Sequence, residues 1–266
     1  MTVLDGVTTA ADQLGLECRS SGDGPALLFL HGESGLLFCE SALARLGEHF
    51  SVVAPSHPGW GASPRRPADR SLDDLAYRYL DLLEAFDEPP LLVGASLGAW
   101  LALEIATKDE SRIAGLVLVA PVGIRTGVPT QRYYLDRYAV PADALAISLY
   151  GTAGRAPNLA ERSDQDLLLL ARAQEATAFY TWQPYLHNPS LLDRLHRVRR
   201  RTLVVTGAQD GFVLADDHVE TLCGALGGVT ETVVFADTGH QVEEQRPDEL
   251  ADCIAAFARQ AAPVLR

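Results

Sequence analysis

The pentapeptide Gly94-Ala95-Ser96-Leu97-Gly98 fits the pattern G-x-S-x-G, and it lies between an apolar run, Leu91–Ala95, and a helix-like stretch, Ala99–Thr107. That context suits a serine held on a sharp strand-to-helix turn. Small neighbours let such a turn close and lift the hydroxyl clear of the sheet. The N-terminus of the following helix favours negative charge developing beside it. A serine hydroxyl is a weak nucleophile and needs a base. Of the seven histidines, His240 lies in Asp237-Thr238-Gly239-His240, just after the last strand-like run. A loop leaving the carboxyl end of a parallel strand is where α/β sheets place function. The base needs an acid to fix its tautomer. Asp210, in Gly207-Ala208-Gln209-Asp210-Gly211, directly follows the run Thr202–Thr206. Asp216 and Asp217 read as the start of the next helix, and Asp237 is too close in sequence to His240. The expected chemistry is acyl transfer, with Ser96 attacking, His240 relaying the proton and Asp210 orienting the imidazole.

A tetrahedral intermediate also needs donors for its oxyanion. Leu30-His31-Gly32-Glu33-Ser34-Gly35 follows the first strong strand-like run. Gly32 permits the tight turn that aims a backbone N–H at the site, so the backbone amides of Glu33 and Leu97 are the expected donors. The Glu33 carboxylate is awkward beside a developing oxyanion, so it either points away or has a role of its own, and a solvated side chain is the simpler reading. His31 and His57 also sit at strand ends, where backbone-bonding structural roles suit them better than a base role. His31, Gly32, Trp60 and Trp182 are candidates to line the substrate pocket. Core packing is an equal alternative for Trp60, and packing between helices is an equal one for Phe179, Tyr180, Trp182 and Tyr185.

Positioning such a site takes a rigid frame. Short apolar runs alternate with helical patterns, the signature of a mainly parallel sheet with helices on both faces. Strands are expected at Ala26–Leu30, Ser51–Ala54, Leu91–Ala95, Gly115–Ala120, Thr202–Thr206 and Thr232–Phe235, with an antiparallel edge strand within Leu14–Ser20. Most of these runs lack polar alternation, as strands covered on both faces should. Ser71 followed by Asp74 marks a capped helix start, with Leu72, Leu75, Ala76, Tyr79, Leu83 and Phe86 on one face. From Ile124 to Leu195 no strand pattern occurs. Residues 124–195 therefore read as a helical cap inserted into a core of residues 1–123 and 196–266, and Ser163 with Asp166 opens one of its helices. The basic run Arg194, Arg197, Arg199, Arg200 and Arg201 reads most simply as a solvated face.

The net charge of −13 disfavours nucleic acid and anionic lipid as partners. The first twelve residues lack a basic and an apolar region of the kind that makes a signal peptide, and no apolar run approaches the ~20 residues of a membrane span. Cys18, Cys39, Cys223 and Cys253 are scattered, which suits reduced, mostly buried thiols in a cytoplasmic protein. No metal or organic cofactor is called for. A small-molecule substrate is expected, and the oligomeric state stays open between monomer and homodimer.

Taken together, the segments HGESG, HPGWG, GASLG, GAQD and DTGH resemble the α/β-hydrolase fold-1 superfamily, in its order and across nearly the whole chain outside the cap. The resemblance implies an eight-stranded, mostly parallel sheet, a helical cap after the sixth strand and the triad Ser96, Asp210 and His240. It departs where an aspartate and arginine are usual, since His57 and Trp60 stand there. Serine at the nucleophile position argues against dehalogenase and epoxide hydrolase chemistry. The leading expectation is hydrolysis of a carboxylic ester. The alternatives are carbon–carbon cleavage of the meta-cleavage type, and a non-hydrolytic enzyme or small-molecule binder on the same fold.

Overall fold

The structure, a computed structural model, describes residues 3–127 and 131–261. Seven strands form one sheet: β1 Cys18–Ser21, β2 Ala26–Leu30, β3 Ser51–Pro55, β4 Leu91–Ala95, β5 Gly115–Val119, β6 Thr202–Gly207 and β7 Thr230–Phe235. Their order is β1-β3-β2-β4-β5-β6-β7. Only β1 runs antiparallel, pairing Cys18 with Pro55 through Ser21 with Val52. The sheet thus has seven described strands where eight were expected. The residues ahead of β1 form a helix, α1 Val3–Gln13, in place of another strand.

Strands β3, β4 and β5 are buried at every position, because helices cover both faces. Helices α3 (Leu72–Leu83) and α4 (Leu97–Lys108) pack with α1 on one face, burying Val7, Leu75, Tyr79, Leu101 and Ile105 with Leu28, Leu92 and Leu118. On the other face α2 (Glu40–Gly47) and α10 (Pro247–Ala261) bury Leu43, Leu46, Leu250 and Ile254 against Leu27, Phe29, Val93 and Val117. Each fully buried aliphatic side chain of this kind contributes about 1.5–3 kcal/mol. The edge strand β7 departs from the pattern: its exposed and half-buried residues alternate, since one of its faces meets solvent. The predicted start of α3 is observed, with the Asp74 N–H donating to Ser71 Oγ at 3.1 Å.

The chain lays β3 outside β2 and then returns to lay β4 on the opposite side of β2. At such a switch point the loops leaving adjacent strands diverge and open a crevice. The register pairs Leu30 of β2 with Gly94 of β4, so the loops that begin with His31 and Ser96 leave the sheet side by side.

Between β5 and β6 the regular elements are helical: α5 Ala142–Tyr150, α6 Asp164–Thr181, α7 Leu191–Arg194 and short 3-10 turns. Ser163 caps α6, accepting from the Asp166 N–H at 3.2 Å. The arginine run that follows is tied down instead of freely solvated. Arg197 donates to the Thr107 carbonyl, Arg200 to the Glu110 carbonyl and Arg201 to the Glu231 carboxylate, which satisfies groups where the chain re-enters the sheet. Helices α8 (His218–Ala225) and α9 (Val242–Gln245) complete the fold. All four cysteines are free thiols; Cys39 is buried, while Cys18, Cys223 and Cys253 are only half-buried. Among the described residues no helix is long and apolar enough to cross a membrane.

Candidate active site

Ser96 follows the last residue of β4 and immediately precedes α4, with φ 47° and ψ −109°. A positive φ at a non-glycine residue costs on the order of 1–3 kcal/mol and persists only where the surroundings enforce it. Here the Ser96 N–H donates to the Val119 carbonyl at 2.8 Å, which anchors the turn to β5. Gly98 is the other requirement. A Cβ there would fall on the carbonyl oxygens of Leu30 and His31, so α4 can approach the end of β2 only with glycine at this position.

The strand ends bring three sequence-distant groups into one line. Ser96 Oγ lies 2.7 Å from His240 Nε2, and His240 Nδ1 lies 2.7 Å from Asp210 Oδ2. The second carboxylate oxygen, Asp210 Oδ1, accepts from the N–H groups of Phe212 and Val213 at 2.9 and 3.1 Å. Burial works against charge on His240, but the charge and hydrogen bond of Asp210 outweigh it, aided by Glu33 and Glu243, and its pKa is raised. Burial likewise opposes the Asp210 carboxylate, yet His240 and the two backbone donors hold its pKa below the ordinary value. Both directions favour an imidazolium–carboxylate pair. Ser96 and His240 are 2% and 1% exposed, so both are shielded from bulk water, while Asp210 is partly exposed.

The acid and base loops share a support. Gly211 N–H donates to the Ser148 carbonyl at 3.0 Å and Gln241 N–H to the Leu149 carbonyl at 3.1 Å. Both acceptors lie in the last turn of α5, where carbonyls lack intrahelical partners. The two loops also bond each other, Gln209 N–H to the Thr238 carbonyl at 2.8 Å. The Phe212 ring packs 4.7 Å from the His240 ring.

Glu33 is not turned into solvent. It is 3% exposed, and its Oε1 accepts a hydrogen bond from Ser96 Oγ at 3.0 Å. Two donors fix its carbonyl: Trp60 Nε1 at 2.9 Å and Thr177 Oγ1, from α6, at 3.1 Å. With the main chain held from both sides, the carboxylate points at the nucleophile. Gly32 lies against the same turn, where a Cβ would stand 3.3 Å from the Ala95 carbonyl oxygen and 3.4 Å from Ser96 Cβ. Leu97 opens α4, so its N–H belongs to the first turn that lacks intrahelical acceptors.

The remaining candidates separate. His31 is fully buried; its Nδ1 bonds the Gly32 carbonyl at 2.7 Å and its Nε2 accepts from the His57 N–H at 2.9 Å. Burial lowers its pKa to about 4, so it stays neutral and braces the loop. His57 is braced in turn by the Tyr79 hydroxyl and the His31 carbonyl. Trp60 is 1% exposed and stacks on Tyr180, the ring centroids 5.6 Å apart. Trp182 is 70% exposed and does not roof the site. On α6 the buried residues Ala173, Ala176, Thr177 and Tyr180 share one face, and Trp182, two positions after Tyr180, falls on the opposite side. Phe179 also faces outward, under the Arg65 guanidinium.

Several site residues were not singled out in the sequence. Thr177 carried no signal beyond its helical phase. Glu243 and Glu244 follow the base by only three and four positions, a proximity that marks them in retrospect. Burial raises both carboxyls to a pKa of about 7. Glu244 Oε2 accepts from the Tyr150 hydroxyl at 2.6 Å. Buried Glu104 accepts from Trp100 Nε1 at 3.0 Å and from Asn188 Nδ2 at 2.8 Å, tying α4 to the segment that enters α7. Among the described residues no cluster of three or more His, Cys, Asp or Glu side chains is arranged to hold a metal ion.

The sequence model of the alpha/beta hydrolase family matches residues 27–253. An uncharacterized protein of Mycobacterium tuberculosis is 25% identical over 262 residues, covering 90% of this chain and 76% of its own. Among solved structures, the 2-hydroxy-6-oxo-6-phenylhexa-2,4-dienoate hydrolase of Rhodococcus sp. strain RHA1 superposes with a TM-score of 0.71 at 22% identity, covering 92% of this chain and 94% of its own. A serine hydrolase of the polyaromatic hydrocarbon-degrading bacterium Cycloclasticus zankles superposes with a TM-score of 0.74 at 18% identity, covering 93% and 96%.

Proposed function

This chain belongs to the alpha/beta hydrolase family, and from that premise we propose that it hydrolyses a carboxylic ester of a small molecule through an acyl-enzyme on Ser96. The observation that carries the reading is the unbroken line from Asp210 through His240 to Ser96, with both contacts at 2.7 Å, on a strained strand-to-helix turn.

In the proposed reaction His240 Nε2 takes the Ser96 hydroxyl proton as Oγ bonds the substrate carbonyl carbon. Asp210 holds the imidazole through Nδ1 and stabilises the imidazolium. The backbone N–H groups of Leu97 and Glu33 receive the oxyanion. Collapse breaks the bond to the alcohol, and His240 returns the proton to that oxygen. A water molecule, deprotonated by His240, then releases the acid by the reverse sequence. These steps need no cofactor from the chain. The helices between β5 and β6 act as a cap that keeps bulk water out and selects the acyl group, and they must move to admit substrate, given the burial of Ser96 and His240. The protein works on small molecules in the cytoplasm, without nucleic-acid or membrane partners.

Carbon–carbon cleavage of a dienoate uses the same three residues. The charge of the site favours the ester reading: a dienoate carboxylate would meet the buried carboxyls of Glu33 and Glu243. The test is turnover of p-nitrophenyl esters of increasing acyl length, with Ser96→Ala in parallel. Turnover by the parent and its loss in the variant are expected. Equal, slow rates in both would sink the proposal, and cleavage of a dienoate alone would replace it with the second reading.

A further inference from the structure

We infer that Glu33 selects substrates bearing a protonated amine on the carbon beside the scissile carbonyl, that is, aminoacyl esters. The inference rests on the proposed acylation of Ser96.

Among the described residues, the Glu33 carboxylate accepts a single side-chain hydrogen bond, from Ser96 Oγ at 3.0 Å. The reaction removes that donor. Once the hydroxyl proton moves to His240 and Oγ joins the acyl carbon, the oxygen has no hydrogen left to give. Glu33 cannot turn away to find water, because its main chain is held by Trp60 and Thr177 and its side chain is buried. A buried carboxylate stripped of its donor carries the full penalty of desolvation. That penalty would fall on every transition state in which Oγ is bonded to carbon, unless the substrate supplies a donor. The position that can supply it is a group carried on the carbon next to the carbonyl carbon, two bonds from the reacting centre, because Glu33 Oε1 is within hydrogen-bond distance of the atom that becomes bonded to that centre.

The surroundings decide the charge of the donor. Glu33 and Glu243 both act on His240, and they act on each other. Glu243 is 4% exposed, and its carboxyl bonds its own backbone N–H. None of the ion pairs among the described residues includes Glu33, Glu243 or Glu244. The arginine that acts on Glu244, Arg162, lies over the Phe38 ring instead. Asp210, Glu33 and Glu243 share one basic group, His240, so the site holds more acid than base and favours a cation, and an ammonium group donating to Glu33 makes the strong, charge-assisted form of the lost bond. An anionic acyl group is repelled.

The experiment compares kcat/KM for the benzyl esters of alanine, N-acetylalanine and propionic acid, at a pH where the alanine ester is protonated. The N-acetyl ester retains an N–H and an electron-withdrawing nitrogen but carries no charge. The wild-type protein should prefer the alanine ester over both others by about ten-fold or more, and Glu33→Gln should bring the ratios towards one, whatever it does to absolute rates. The wild-type ratios decide the matter even if that variant folds poorly. Turnover of the N-acetyl or propionyl ester at least as fast as the alanine ester, still abolished by Ser96→Ala, overturns the inference and leaves the ester-hydrolase reading standing. Absence of Ser96-dependent turnover with all three esters and with p-nitrophenyl esters overturns both.

Discussion

Replacing Glu33 by glutamine should move the pH dependence of catalysis. The Glu33 carboxylate and the His240 imidazole flank the same atom, Ser96 Oγ, at 3.0 and 2.7 Å. Their charges therefore lie roughly 5 Å apart, which at an effective dielectric of about 20 gives an interaction of about 3 kcal/mol. The loss of the carboxylate should remove much of that interaction and lower the imidazole pKa. The sign follows from the base role. Glu33 raises the His240 pKa, so the neutral imidazole that can accept the serine proton is present only above that raised value. Glutamine lowers it, and the acid limb of the profile must move to lower pH. The assay is kcat/KM for a neutral p-nitrophenyl ester, which reports the free enzyme, followed from pH 5 to pH 9 in the parent and in Glu33→Gln. A limb that stays in place or moves upward would refute the electrostatic link between these groups.

Asp210→Asn should lower kcat by about 10³–10⁴-fold, because the amide no longer fixes the imidazole tautomer that accepts from Ser96; single-turnover ester hydrolysis with folding followed by circular dichroism checks it. Gly98→Ala should destabilise the protein by about 3 kcal/mol, since a methyl group meets the backbone carbonyls of Leu30 and His31, which cannot step aside; urea unfolding measures this. The Glu243 carboxyl has its folded-state pKa raised to about 7 from 4.5, so its contribution to stability is full below the lower value and is lost as pH rises through about 7. Glu243→Gln should accordingly flatten the fall in melting temperature between pH 5 and pH 8, and an unchanged slope would show that the group does not titrate in that range.

How much of this was legible in the sequence depended on which force fixed each feature. The strands from Ala26–Leu30 to Thr202–Gly207 stood out because burial on both faces leaves uninterrupted apolar runs. Ser96, Asp210 and His240 stood out because each follows such a run, and because a strained turn needs glycines at fixed spacing. Helix α1 did not stand out. Its sequence, VLDGVTTAADQ, holds a glycine and two threonines, which weaken its intrinsic propensity; it is held by packing, with Val7 and Ala11 fully buried. The direction of the Glu33 side chain was misread for a related reason. Exposure is the default for a glutamate, and only the donors from Trp60 and Thr177, 27 and 144 positions away, overrule it. Trp182 was misread because its aromatic character suggested a pocket wall, while its helical phase relative to Tyr180 places it outside.

The last turn of α5 carries a consequence for how this scaffold changes over time. Its Ser148 and Leu149 carbonyls receive the backbone of the loop that bears Asp210 and of the loop that bears His240. A segment that merely covered the sheet could be exchanged freely, like an interchangeable fitting, to alter what the protein accepts. This one cannot be. Replacing residues around Ser148–Leu149 alters the spacing of the acid and the base along with the space above them, so new selectivity and loss of the proton relay arrive in the same substitution. Diversification should therefore be gradual in α5 and freer in α6, whose outward face, with Phe179 exposed upon it, bears no such joint duty.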